Sequence, residues 1–159
     1  MKQVFRNIRK CERLYITLEM DDLAKQLLLK LALLETAGWL EDSFDKLYLS
    51  CAPNEKARSI MEKYITKIHS FNWENLHKGL SFGLGVKRVC ELEDFAGEEN
   101  ICKMKSIIGN IKSHRDELAH NYVIQITKQF IPFKTLKKNI LFINDGINFI
   151  KKHIEENKV

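Results

Sequence analysis

The segment 136–154, LKKNILFINDGINFIKKHI, sets Leu136, Ile140, Ile143, Ile147, Ile150 and Ile154 apart by steps of 4, 3, 4, 3 and 4 residues. That period lines all six along one stripe of an α-helix, whereas a strand would send alternate side chains to opposite faces. Lys137, Lys138, Lys151, Lys152 and the following Lys158 give this helix a basic outer side. A helix with so regular an apolar stripe needs other helices to cover it, so the remaining segments must supply partners of the same period.

They do so almost everywhere. Val4, Ile8, Cys11, Tyr15 and Leu18 define a first helix, whose cations Lys2, Arg6, Arg9, Lys10 and Arg13 fall mostly off the stripe. Asp21 and Asp22 suit the start of a second helix, as cap and as partners of its dipole. It runs to about Cys51 through Leu40, Phe44 and Leu47, with Gly38 marking a bend. After Pro53 and Asn54, a third helix is predicted from Ala57, Met61, Tyr64, Ile68 and Phe71. The segment 72–85, with Trp73, His77, Gly79, Phe82, Gly83 and Gly85, reads as a loop or irregular stretch. A short helix near Val86 to Phe95 ends at Ala96 and Gly97. The next begins near Glu98, and its stripe reads Ile101, Met104, Ile108, Ile111, Arg115, Leu118. Tyr122, Val123, Ile124 and Ile126 fit a short strand, an extended linker or a helical turn. The expected fold is an all-α bundle of five to six helices forming a single domain over 1–159.

Composition narrows the function classes. The chain has 159 residues, 45% of them hydrophobic, and 26 Lys+Arg against 21 Asp+Glu, a net charge of +5. A chain of that size buries roughly 70% of its unfolded surface without staples. No apolar run approaches the roughly 20 residues of a membrane span, and Met1 to Lys10 leads into no apolar signal core. A cytoplasmic location without membrane association is therefore expected. Cys11, Cys51, Cys90 and Cys102 lie too far apart for a zinc-ligand spacing and read as four reduced, buried thiols. His69, His77 and His153 are isolated, so neither a metal nor another cofactor is expected. The modest positive charge favours acidic partners, RNA among them.

The segment His114-Arg115-Asp116-Glu117-Leu118-Ala119-His120-Asn121-Tyr122 departs from this background. Arg115 stands where the period asks for an apolar side chain, and a desolvated guanidinium costs several kcal/mol unless an anion or polar group compensates it, about what separates a stable from an unstable domain. On an unbroken helix Arg115 and His120 stand about 140° apart, so one cleft could gather both only if the helix ended or kinked near Ala119. The residue types suit a phosphodiester. An arginine fork holds phosphate bidentately at any cellular pH, and a histidine titrating near neutrality moves a proton onto or off an oxygen. RNA brings its own nucleophile, the 2′-hydroxyl, so no metal is required.

Arg115 to Tyr122 reads R-x4-H-x-Y and resembles the signature of the HEPN superfamily, all-α domains named for higher eukaryotes and prokaryotes nucleotide-binding. The likeness covers this motif and the helical layout, including the alanine before the histidine. It implies a metal-independent endoribonuclease of a toxin–antitoxin or other defence system, of the RiboL-PSP-associated or nucleotidyltransferase-paired type. It further implies a homodimer in which both copies of the motif line one cleft. Asp116 matches the polar residue that follows the arginine in such motifs. Tyr122 matches the tyrosine that a nucleotidyltransferase antitoxin adenylylates. On this reading Arg115 binds the scissile phosphate, His120 is general acid or base, Asp116 orients the pair, and His114 and Asn121 contact substrate. The alternatives are a non-catalytic RNA-binding or protein-interaction module of the same fold, and a helical dimer in which Arg115 is a structural ion pair and Tyr122 a packing aromatic. The spacing H-R-D-x4-N also matches a kinase catalytic loop, which a chain this short, without a D-F-G triplet, cannot complete. Gly83-Leu84-Gly85 with Lys87 lacks the strand and third glycine of a phosphate-binding loop.

Overall fold

In the computed structural model the described residues are 1–17, 19, 21–68, 70–120 and 131–156, with only the backbone described at 119 and 120. Among them are seven helices: α1 (Lys2–Thr17), α2 (Asp22–Ser50), α3 (Glu55–Ile65), α4 (Trp73–Leu84), α5 (Val86–Ala96), α6 (Glu98–His120) and α7 (Phe133–Glu156). The all-α expectation stands, and the expected count of five to six becomes seven. Leu18, His69, Asn121, Tyr122, the segment around Ile124 and Ile126, and Lys158 lie outside the described residues.

Helix α2 is the axis of the bundle, packing against α1, α3, α4, α6 and α7. Asp21 starts it as expected, its side chain accepting a hydrogen bond from the Ala24 amide at 2.7 Å. The helix then runs through Gly38 without interruption. Its buried residues Leu33, Ala37, Leu40, Phe44 and Leu47 share one core with the α7 stripe, of which Leu136, Ile140, Ile143, Ile147, Ile150 and Ile154 are all buried. Burying side chains of this size stabilises by about 1.5–3 kcal/mol each. On α1, Val4, Ile8 and Cys11 face the core, while Lys2, Arg6, Arg9, Lys10 and Arg13 are exposed. Lys137 is not one of the free outer cations, because it donates to both carboxylate oxygens of Glu12 at 2.6 and 2.8 Å and ties α7 to α1.

The segment 72–85, expected to be irregular, is largely the helix α4. Asn72 caps it by accepting from the Asn75 amide at 2.7 Å, and Leu76 and Leu80, four residues apart, are buried. The glycines read as breakers serve close packing. A β-carbon on Gly79 would lie 2.3 Å from the Tyr48 ring, and one on Gly83 would lie 2.5 Å from the Cys51 β-carbon. Gly85, at φ 87°, makes the turn into α5, and Gly97, at φ 81°, ends α5 as expected. Helix α3 is shorter than its stripe suggested. It ends at Ile65, and Phe71 reaches the core from non-helical chain. Of the four cysteines expected to be buried, Cys11 and Cys51 are, but Cys90 and Cys102 are exposed; none of the four forms a disulfide. Burial, then the neighbouring Glu35, raises the Cys11 thiol above its ordinary pKa.

Candidate functional site

Helix α6 carries Met104, Ile108, Ile111 and Leu118 into the core, and Arg115 stands on the same stripe between the last two. Its side chain is 30% exposed, so the guanidinium sits at the rim of the core. The compensating anion that its position demands comes from α2. Arg115 Nη2 donates to Glu41 Oε1 at 2.7 Å, and Nη1 donates to Asp116 Oδ1 at 3.0 Å. The ring of Phe71 lies beneath, its centroid 5.8 Å from the guanidinium carbon, within cation–π range. Asp116 also accepts from Lys112 Nζ at 2.6 Å. Two cations and two carboxylates thus alternate along one chain of contacts, Lys112, Asp116, Arg115, Glu41. The hydrogen bond from Lys112, then that from Arg115, holds the Asp116 carboxyl below the usual aspartate range.

A polar cavity of about 270 Å³ opens beside this chain, lined in part by Glu41, Asp45, Tyr48, Ser70 and Phe71. Burial raises the Asp45 carboxyl above its ordinary pKa, reinforced by repulsion from Asp42 and Glu41. Burial, with the charge of Asp45 next in weight, raises the Tyr48 phenol likewise. The Ser70 hydroxyl oxygen is buried and has no hydrogen-bond partner among the described residues. Glu41, Asp45 and Phe71 belong to the surroundings of Arg115 that sequence reading missed. The available signal was the run Glu41-Asp42-Ser43-Phe44-Asp45, acidic residues bracketing the buried Phe44, in a chain with one arginine on an apolar stripe. Nothing local links them, because Glu41 and Arg115 are 74 residues apart.

Of the other candidates named from the sequence, His114 alone has its side chain among the described residues. His114 is half-buried and takes no part in the Arg115 network. The α6 backbone is helical through His120, so a break near Ala119, the condition for one cleft to gather both side chains, does not occur before that residue. At 100° and 1.5 Å per residue, the five-residue step sets the His120 Cα about 140° around the axis and about 7.5 Å along it from that of Arg115. Within one chain, then, the condition for a shared cleft is not met by the backbone up to His120. Asn121 and Tyr122 follow outside the described residues.

Among the described residues, no three His, Cys, Asp or Glu side chains are grouped so as to hold a metal ion, and no helix is long and apolar enough to cross a membrane. What the site can do chemically rests on Arg115. A partly exposed fork held by a carboxylate that is itself 41% exposed can exchange that carboxylate for a phosphate arriving from solvent. Compared with protein-family models, curated proteins and solved structures, the chain matches none.

Proposed function

We propose that the protein is a cytoplasmic, metal-independent endoribonuclease of the HEPN type, acting as a homodimer. The observation that carries this reading is Arg115, a guanidinium on an apolar stripe, partly open to solvent and held by the exchangeable Glu41, in an R-x4-H motif at the end of α6. Arg115 releases Glu41 and binds the scissile phosphate in its place. His120 removes the proton of the 2′-hydroxyl or protonates the leaving 5′-oxygen, and Asp116 keeps Arg115 oriented. Attack of the 2′-oxygen on phosphorus breaks the bond to the 5′-oxygen, leaving a 2′,3′-cyclic phosphate and a 5′-hydroxyl. His114 and Asn121 contact the substrate, and Tyr122 is the residue a nucleotidyltransferase antitoxin would modify.

The 140° separation along one helix favours a dimer as the working form. Two copies related by a two-fold axis bring Arg115 of one toward His120 of the other, giving two equivalent composite sites. The exposed cations Lys2, Arg6, Arg9, Lys10 and Arg13 on α1 attract the RNA backbone without reading its sequence. Binding consequently weakens as salt rises. A toxin or other defence effector is the role such an activity fits.

The test is incubation of the full chain with single-stranded RNA in excess chelator. Cleavage to cyclic-phosphate ends is expected, falling on the order of 100-fold or more in Arg115→Ala and His120→Ala. Equal cleavage by either variant removes that residue from the mechanism. RNA binding without products favours the non-catalytic module instead. The closed chain from Lys112 to Glu41 favours one further reading, a purely structural clasp, under which Arg115→Met is tolerated and RNA does not bind beyond charge background.

A further inference from the structure

An apolar cavity of about 400 Å³ lies away from Arg115, among α4, α5, α6 and α7. Helix α4 exists where an irregular loop was expected, and it supplies one wall through Trp73, Leu76 and Leu80. Aromatic rings converge on the space from three elements: Trp73 on α4, Phe95 on α5, and Phe142 and Phe149 on α7. Phe95 is 79% exposed and Phe149 39%, although both are large apolar side chains. Two carboxylates join them, Glu93 on α5 and Asp145 on α7. No lysine or arginine lines the cavity, in a chain whose net charge is +5. Glu93 lies 3.5 Å from His77 Nε2, and Asp145 forms no ion pair among the described residues.

This combination selects by charge. An anion entering would meet carboxylates and the negative faces of the rings. A neutral apolar guest would take water from Glu93 and Asp145 and return no hydrogen bond or charge. An organic cation satisfies both, lying against aromatic faces while its charge answers the carboxylates. The Phe142 ring already accepts one cation from outside the cavity, with Lys103 Nζ 4.2 Å from its centroid. The volume falls within the roughly 300–1,000 Å³ of small-molecule sites. A helix is about 10 Å across with its side chains, and three turns of one would not fit.

We infer that the cavity bounded by Trp73, Phe95, Phe142 and Phe149 and edged by Glu93 and Asp145 is a binding site for a small organic cation of the quaternary or alkylated ammonium class. It is separate from the Arg115 chain of contacts and does not depend on the nuclease reading.

The test uses the full chain carrying Trp39→Phe, which leaves Trp73 as its single indole. The probes are benzyltrimethylammonium, its neutral isostere neopentylbenzene, and the anion phenylmethanesulfonate, each titrated against Trp73 fluorescence. Saturable quenching by the cation is expected, with affinity about tenfold above that of the neutral isostere and no saturation by the sulfonate. In Glu93→Gln/Asp145→Asn the preference should fall to about threefold or less, with neopentylbenzene binding unchanged. Circular dichroism checks the fold of that variant. Should it fail to fold, Asp145→Asn alone, at an exposed position, carries the same expectation in smaller measure. Equal affinity for cation and neutral isostere overturns the proposal, as does a preference that survives loss of both carboxylates. Absence of saturable quenching also overturns it. So does self-association that Phe149→Lys abolishes, since a second copy would then be the occupant.

Discussion

The two halves of α6 solve the same problem by different means. From Met104 to Ile111 the stripe is apolar and disappears into the core; from Lys112 to Leu118 the same stripe passes through a guanidinium at the rim. The first half is stabilised by removing carbon from water, which tolerates little change in volume. The second is neutralised by Glu41 and Asp116, in contacts that remain partly solvated and are therefore weak. A leucine at position 115 would have continued the stripe with less difficulty. A cation kept where burial alone would not choose it is the feature on which the proposed function rests.

The comparison is broken most severely by Ile108→Ala, which empties a fully buried site and should cost about 2–5 kcal/mol in a urea melt. Arg115→Met in the other half should cost no more than about 1 kcal/mol. Equal losses would mean that the charged half is as structural as the apolar one. Between these falls Gly79→Ala, at about 1–3 kcal/mol, because its methyl group meets the buried Tyr48 ring on the neighbouring α2. An unchanged melt would place α4 at a looser distance from α2.

The smallest effects are those of pH, and they have opposite signs. The Asp116 pKa is depressed by folding, so its contribution is present above the ordinary aspartate value, about 3.9, and lost as pH falls through the lower folded value. Asp116→Asn should therefore lower Tm slightly at pH 7, and the gap should close below about pH 4. The Asp45 pKa is raised by folding, so its charged form disfavours the native state above that folded value. Asp45→Asn should raise Tm slightly at pH 7 and leave it unchanged at low pH. Melts of both variants across that range check the pair, and shifts of the same sign would contradict the assigned environments.

Most of the helical layout was legible because α1, α2, α6 and α7 each bury one regularly spaced stripe. Helix α4 was not, because glycine reads as a breaker in sequence whether it serves a turn or, as at Gly79, lets another ring approach. The overlong reading of α3 has the converse cause. Phe71 prolongs the apolar period, but the chain reaches the core there after leaving the helix. Arg115 stood out from its stripe alone, and with it the need for an anion. Which anion could not be read, since Glu41 is brought to it only by the packing of α2 against α6.

The central claim is that Arg115 of one copy works with His120 of another on a single phosphodiester, and subunit mixing tests it most directly. Arg115→Ala and His120→Ala proteins, each inactive alone, are unfolded together, refolded and assayed on single-stranded RNA in chelator. Random pairing makes half the dimers mixed, each with one intact composite site of two, so about a quarter of native activity should return. No recovery, from mixed dimers shown to form, would contradict a site shared between copies.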